Sequence, residues 1–438
     1  MKKPQRPAAP GNRAGGPPPQ SSAISPAGNQ ASPIRKVIIV AAVLLLASLS
    51  GASFLLGRKS AQVHCPPVNT AAPDAVSLVH PGPWGNLEYI PITIAAPEEF
   101  LGVQQVEHSI VHWVFPGFTA ESMAGFLDTV DLTPGQRERM LKPEVMKRGA
   151  HGLHLFPPAE LALSISTKGR QQLCAQLAQF PENNPGLEVI TAKSFDEHFV
   201  KSGVSESTVA LVHKLACPYR SYFIFPDLPY VLAAIPTYPE KLNLLKAISR
   251  QQSLLVKLHV TPDTDIKALA SYYGKACWGK DVTPLLESLA RIPGGARIDF
   301  AHLIPPLPSS LLYTFPLPNG PDSTNVIPDC HWTSFNFFRD PPDPRYSDPA
   351  FIHAKMQSDF YIVPSDPRYG DIVFFTKPDG IGIHSAVFLF DNIVFTKNGA
   401  NVLQPWKLAT IDELLDEYSF RTTPDKPLRI VYYRNKYY

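Results

Sequence analysis

The sequence predicts an α+β protein carried on one membrane helix, and three features of the chain predict it. An uncharged run of twenty residues, Val37–Leu56, precedes everything that can fold. From residue 86 to 304, capping signals and apolar stripes at helical spacing dominate. After residue 371 the pattern changes to short, strongly apolar runs behind a helix that opens at Cys330. A helix followed by an antiparallel sheet is α+β architecture.

The apolar run reads VIIVAAVLLLASLSGASFLL. As a helix rising ~1.5 Å per residue it matches the ~30 Å hydrocarbon core of a bilayer. Residues 1–36 carry Lys2, Lys3, Arg6, Arg13, Arg35 and Lys36 with no acidic residue, whereas only Arg58 and Lys59 follow the run closely. That bias puts the tail in the cytoplasm and the bulk outside it, in the periplasm or at the cell surface. A cleaved signal peptide has a shorter apolar core, ~7–15 residues, close behind its start, so an uncleaved anchor is expected. Cys65 lies well past the run, which argues against a lipid anchor. The tail, rich in Pro, Gly, Ser and Ala, cannot bury a core and is expected to be disordered. Residues 57–85, punctuated by prolines, read as a linker.

Residues 86–304 read as a mainly helical accessory domain with short strands. Thr133-Pro134-Gly135-Gln136 sets a capping oxygen, a first-turn proline and a third-position amide in order. Thr261-Pro262 and Thr283-Pro284 look like further helix starts, and Met123, Phe126, Leu127 and Val130 form the stripe of a half-buried helix. His108 and His112 are four apart and His151 and His154 three apart, but position 109 is Ser where the zinc-peptidase pattern needs Glu. No further ligand is evident, so structural histidines are expected. No metal, no organic cofactor and no nucleotide are implied, since no phosphate-binding glycine loop occurs. A formal net charge of +2, with no dense basic-aromatic stretch, points away from nucleic acid. Five cysteines (65, 174, 217, 277 and 330) leave one over if the rest pair in an oxidising compartment, and the pairing is not readable.

Residues 305–438 begin with a proline-rich segment, Ile304–Pro321. A short helix from Cys330 and a second over Pro349–Ser358 precede strands at Asp371–Thr376, Ile383–Phe390 and Ile393–Thr396, with Asp391-Asn392 as a hairpin turn. Thr410-Ile411-Asp412-Glu413 is a capping box for another helix, and Leu428–Tyr433 reads as a final strand.

The chemistry sits here. Asp329 is a good cap, so Cys330 should start its helix, where unpaired amides lower a thiol's pKa toward the nucleophilic thiolate. A thiolate needs a base and a group to orient that base. His384 can be the base; Thr396 and Asn398, both on one side of the facing strand, can orient it, Asn398 having the better chemistry. The plainer reading is a disulfide cysteine and a strand histidine.

The arrangement resembles the NlpC-type, papain-like cysteine peptidases of bacterial cell-wall turnover. The corresponding pieces are Asp329-Cys330, the strand Gly370-Asp371-Ile372-Val373-Phe374-Phe375, His384-Ser385-Ala386-Val387, and the hairpin Phe390 to Phe395. The resemblance covers roughly Pro305–Tyr438 and implies a helix packed on an antiparallel sheet and a thioester mechanism on short peptidoglycan peptides. It places Asp329, His331, Trp332 and Ser385 beside the substrate. Two departures stand out: His331-Trp332 replaces the family's Ser-Gly after the nucleophile, and Thr396 falls at the third catalytic position, normally His, Asn or Gln. The expectation is a membrane-anchored, extracytoplasmic cysteine peptidase or amidase. The rivals are an inactive envelope binding or scaffold protein with the same fold, and an acyl transferase using the same Cys-His pair.

Overall fold

The computed structural model describes residues 78–438 except 184–188, 192–194, 220–221, 277, 318–326, 420–421 and 423–425. The predicted membrane run, its basic tail and Cys65 lie outside the described residues. Among the described residues no helix is long and apolar enough to cross a membrane. The architecture is mixed, with helices around antiparallel sheets, as the α+β expectation requires.

The first described strand lies inside the expected linker. Strand β1 (Leu78–Gly82) pairs antiparallel with β2 (Gly85–Ile94) across a turn in which Gly85 takes a φ of +91°. Pro81 concealed the strand in the sequence, but β1 is an edge, where proline is tolerated. The chain then builds a small sheet of β3 (Trp113–Pro116), β4 (Met146–Arg148) and β5 (Gly152–Leu155) with helices α1 (Ala120–Thr129), α2 (Pro134–Met140) and α3 (Thr167–Leu177). A second small sheet holds β6 (Val189–Thr191), β7 (Cys217–Tyr219) and β8 (Tyr222–Ile224), beside α4 (Glu206–Leu215), α5 (Leu228–Ala234) and α6 (Tyr238–Ile248). Strand β9 (Gln251–Val260) returns to pair with β2 along its whole length, and β10 (Ala296–Asp299) completes the order β1-β2-β9-β10. These ten-residue strands are longer than the short ones expected.

Several local signals act as read. The Thr133 hydroxyl and the Gln136 side chain form the reciprocal capping box of α2, and Met123, Leu127 and Val130 are buried. Others do not. Thr261 closes a turn with Thr264, and the following helix, α7 (Ile266–Tyr273), is capped by Asp265. Pro284 sits inside α8 (Gly279–Ala290), where the Thr283 hydroxyl donates to the Gly279 carbonyl. His108 ends a helical turn and His112 lies beyond it, so the two share no helix face. His112 instead lies beside His154, ring centroids 5.9 Å apart, and no group of three metal ligands exists among the described residues. Cys174 is disulfide-bonded, and Cys330 is a free thiol.

The C-terminal sheet has the order β11 (Phe360–Val363), β16 (Arg429–Asn435), β12 (Ile372–Thr376), β13 (Gly382–Phe390), β14 (Ile393–Lys397), β15 (Trp406–Thr410), every neighbouring pair antiparallel. Strands β11 and β15 escaped the sequence reading. Asp391 makes the β13–β14 turn with a φ of +51°. Helices α9 (Cys330–Phe335) and α10 (Pro349–Asp359) cover one face, where Ile372 and Phe374 pack with Phe335, Tyr346 and Ile352. Helix α11 (Ile411–Tyr418), with its Thr410–Glu413 capping box, covers the other, against Val373, Phe375, Ala386, Phe388 and Val394. Burial on both faces explains why these strands read as unbroken apolar runs.

Residue 305 is not a break between cores. One cluster runs from Val256 and Leu258 on β9 through Phe300 to Phe390, Phe395 and Leu408. At the seam the Ser253 hydroxyl donates to the Leu408 carbonyl at 3.0 Å and accepts its N–H at 3.1 Å, doing for the edge strand β15 what a neighbouring backbone would.

The accessory part is braced by a buried ion pair. Arg170 on α3 meets Asp227 at the start of α5, both essentially without exposure. Asp227 also accepts from the Trp113 indole at 3.1 Å, and Arg170 lies 5.2 Å over that ring and donates to the Leu215 carbonyl at 3.2 Å. Removing one partner strands the other charge in the core, so Asp227→Ala should cost about 3–5 kcal/mol in urea unfolding. A loss below about 1 kcal/mol would show that the pair is dispensable.

Candidate functional site

The site is assembled where α9 lies on β13 and β14. Asp329 Oδ1 accepts the Trp332 N–H at 2.8 Å and fixes the start of the helix, making Cys330 its first residue, as the sequence indicates. Ser385 points from β13 toward α9. Its hydroxyl donates to the Cys330 carbonyl at 3.3 Å and lies 3.1 Å from Ser334 Oγ and 2.8 Å from His331 Nδ1. The Trp406 indole on β15 donates to Thr333 Oγ1 at 2.9 Å, a second polar tie between helix and sheet.

The Cys330 thiol is 5 % exposed. Burial pushes it up to about 12 and the Asp329 carboxylate adds to the rise, while the N–H groups of Ser385, His331 and Cys330 pull the other way. The sequence implied a lowered thiol. The reversal has a plain cause: a six-residue helix offers a few amides, and desolvation outweighs them.

His384 precedes Ser385, so strand alternation sends its ring to the α11 face. There it is fully buried, stacked on Tyr418 at 4.3 Å and set beside Phe375 at 5.4 Å. Its Nε2 is bonded to Thr396 Oγ1 at 2.9 Å, and its Nδ1 has no hydrogen-bond partner. Burial holds this imidazole well below its usual pKa, with His331 and Lys407 adding to the effect. Asn398, favoured from sequence as the orienting group, instead donates to Glu417 Oε1 at 2.6 Å. The structure sets Thr396, the position that hairpin counting reached, against the ring and leaves Asn398 off it.

The structure thus brings Cys330, His331 and Ser385 together on one face and His384 with Thr396 on the other. No hydrogen bond joins Cys330 to His384. What links them is the Ser385 N–H, the amide directly after His384, which faces the thiol. Of the residues expected beside a substrate, Asp329 is spent on the cap, and Ser385 is fully buried. His331 is half-buried with its pKa lowered by burial, and Trp332 is half-buried against the Ile372–Phe374 cluster. An open groove of about 450 Å³ lined by Asp196, Phe199, Val204, Val209 and His213 includes none of them.

Sequence reasoning missed Lys397. It is fully buried, donates through Nζ to the carbonyls of Gly399 at 2.6 Å and Asn401 at 3.0 Å, and lies 5.9 Å over the Trp406 ring. Burial lowers its ammonium to about 8, with the Asp329 carboxylate pulling it back up. The signal was available: alternation from Phe395 puts Lys397 on a core face. No protein-family model, curated protein or solved structure matches the chain.

Two outcomes follow from these surroundings. A thiol moved from 9.0 to about 12 carries on the order of a thousandfold less thiolate at pH 7, so native Cys330 should alkylate that much more slowly than the unfolded chain. Mass spectrometry of the Cys330 peptide measures both rates, and equal rates would contradict the burial. His384 is depressed in the fold, so the unfolded chain binds its proton more tightly. The stability it contributes is full above the unfolded value near 6.5 and is lost as pH falls below it. Urea midpoints should therefore drop between pH 7 and 5, and His384→Gln should flatten that drop.

Proposed function

We propose that the chain is a cysteine hydrolase, a peptidase or amidase of the NlpC-type, papain-like kind, acting on short cell-wall peptides outside the cytoplasm. The observation that carries this is the His384 ring: its Nε2 is tied to Thr396 while the buried Nδ1 is left without a partner. An unpartnered buried nitrogen costs roughly 1–3 kcal/mol, and a base waiting for a thiol proton is a reason to keep one. The thiol lies against the next residue's amide, while the ring itself is on the other face of β13, so the reaction needs that ring to reach the α9 side. The antiparallel sheet under α9 supports the same family likeness.

The mechanism needs a rearrangement at the start of β13 that brings the His384 ring to the thiol's face; Cys330 Sγ then attacks the scissile carbonyl as its proton passes to His384 Nδ1. The Cys330 N–H helps hold the oxyanion. The imidazolium then protonates the departing amine, leaving a thioester that water, deprotonated by the same ring, hydrolyses. Thr396 holds the ring in the closed arrangement seen here.

One observation favours a second reading. A thiol that is 5 % exposed and pushed up to about 12 suits a binding or scaffold protein that keeps the fold without turnover. Incubation with synthetic stem peptides and mass spectrometry of the products decides. Cys330→Ala should abolish cleavage with unchanged thermal unfolding, and Thr396→Val should lower kcat about a hundredfold. Cleavage that survives Cys330→Ala rules the hydrolase out, and a wild-type protein that cuts no peptide supports the scaffold.

A further inference from the structure

The six-stranded sheet is closed along one edge and open along the other. On β15 the Ser253 side chain satisfies the Leu408 backbone, whereas β11 has no strand beyond it among the described residues. Which of its groups face outward follows from the register. Phe360 pairs with Asn435, so Asp359 stands opposite Lys436, and the Lys436 N–H donates to the Asp359 carbonyl at 2.9 Å. Hydrogen-bonded and non-bonded pairs alternate along an antiparallel ladder. Tyr361 and Val363 therefore bond inward to Arg434 and Tyr432, and the N–H and C=O groups of Phe360 and Ile362 point outward. No hydrogen bond among the described residues takes them. Pro364 is next in the outward series and has no N–H, so the open ladder is short. Along its length the edge is unguarded. Protein edges are blunted by charges, bulges or a covering loop. Phe360–Val363 carries no charge, and Tyr361 and Ile362, on opposite faces of the strand, are 47 % and 59 % exposed.

We propose that β11 is a dimer interface, pairing antiparallel with β11 of a second copy and joining two six-stranded sheets into one. The register selects a second copy of this chain as the partner. Only Phe360 and Ile362 offer outward groups, and one two-fold arrangement uses them all: Phe360 of each copy opposite Ile362 of the other. Tyr361 then faces its own counterpart as a non-bonded pair, ~4.5 Å between Cα atoms. Charge agrees with that orientation. At the start of β11, Lys355 and Lys436 both act on the single carboxylate of Asp359. The other end leads through Pro364 to exposed Asp366, whose one ion pair among the described residues is a long one, 3.7 Å to Arg368. Antiparallel pairing brings the lysine-rich end of each copy to the Asp366 end of the other, twice over by symmetry. The proposal goes beyond the hydrolase reading and does not depend on it. The plain alternative is an edge that Pro364 keeps solitary.

Sedimentation of the full-length protein in detergent separates the two. Wild type should form a dimer whose population rises with concentration. Ile362→Pro deletes one outward N–H from each copy and should weaken that dimer at least about tenfold. It leaves the inward bonds of Tyr361 and Val363 in place, and proline is tolerated where the lost N–H faces out, so thermal unfolding should not change. If Ile362→Pro does not fold, Ile362→Lys carries the same expectation. Tyr361→Cys tests the register, since the expected Cα separation lies within disulfide reach. Mild oxidation should join two copies through residue 361, located by mass spectrometry. Ile381→Cys, also exposed but on the turn between β12 and β13, should not cross-link. A wild-type protein that stays monomeric overturns the proposal. So does a dimer indifferent to the residue 362 variants, or the absence of a link through residue 361.

Discussion

Burial of β13 on both faces is the constraint from which the candidate site follows. A strand covered by α9 on one side and α11 on the other has no wet face, so adjacent residues Ser385 and His384 must each find partners in opposite layers. Ser385 finds the helix that carries Cys330, and His384 finds Thr396 and the Tyr418 ring. The same enclosure moves each titratable group toward its neutral form: the thiol up, the imidazole and the lysine down.

The accessory part is what holds that strand in place. The β13–β14 turn is gripped by the first hairpin, with Asp391 accepting from the Tyr89 hydroxyl at 3.3 Å and meeting His80 Nδ1 at 3.1 Å. The Tyr272 hydroxyl of α7 donates to the Leu389 carbonyl at 2.8 Å, and Ser253 satisfies Leu408 on β15. His384, Thr396 and Lys397 all lie on the hairpin these contacts fix. Elements that show no chemistry in the sequence therefore set the geometry of those that do.

Legibility tracked how local each determinant is. Caps at Asp329, Thr133 and Thr410 were readable because cap and recipient are three residues apart. The central strands of the C-terminal sheet were readable because double burial makes them continuously apolar. Strand β1 was hidden by Pro81, and β15 is completed by a serine roughly a hundred and fifty residues away, which no local pattern records. Within the site, hairpin counting found Thr396, since register is arithmetic. The thiol's surroundings were not legible, because a helix start looks the same in sequence whether it faces water or a sheet. Lys397 was passed over because lysine reads as a surface residue until its strand neighbours are known to be core.

Burial opposes the ion pair that a Cys–His reaction needs, raising the thiol while depressing the imidazole, so moving the proton between them is uphill in the closed state. A cation placed evenly between the two would not change that balance, since it stabilises a thiolate as much as it destabilises an imidazolium. Each face answers its own cation. Lys397 on the α9 face gives two hydrogen bonds to carbonyls with the Asp329 carboxylate on the same side, and Lys407 on the α11 face lies 3.6 Å from the Glu417 carboxylate. Both lysines are accounted for by their own neighbours, so the neutral thiol and the neutral imidazole are the states that this closed sheet favours.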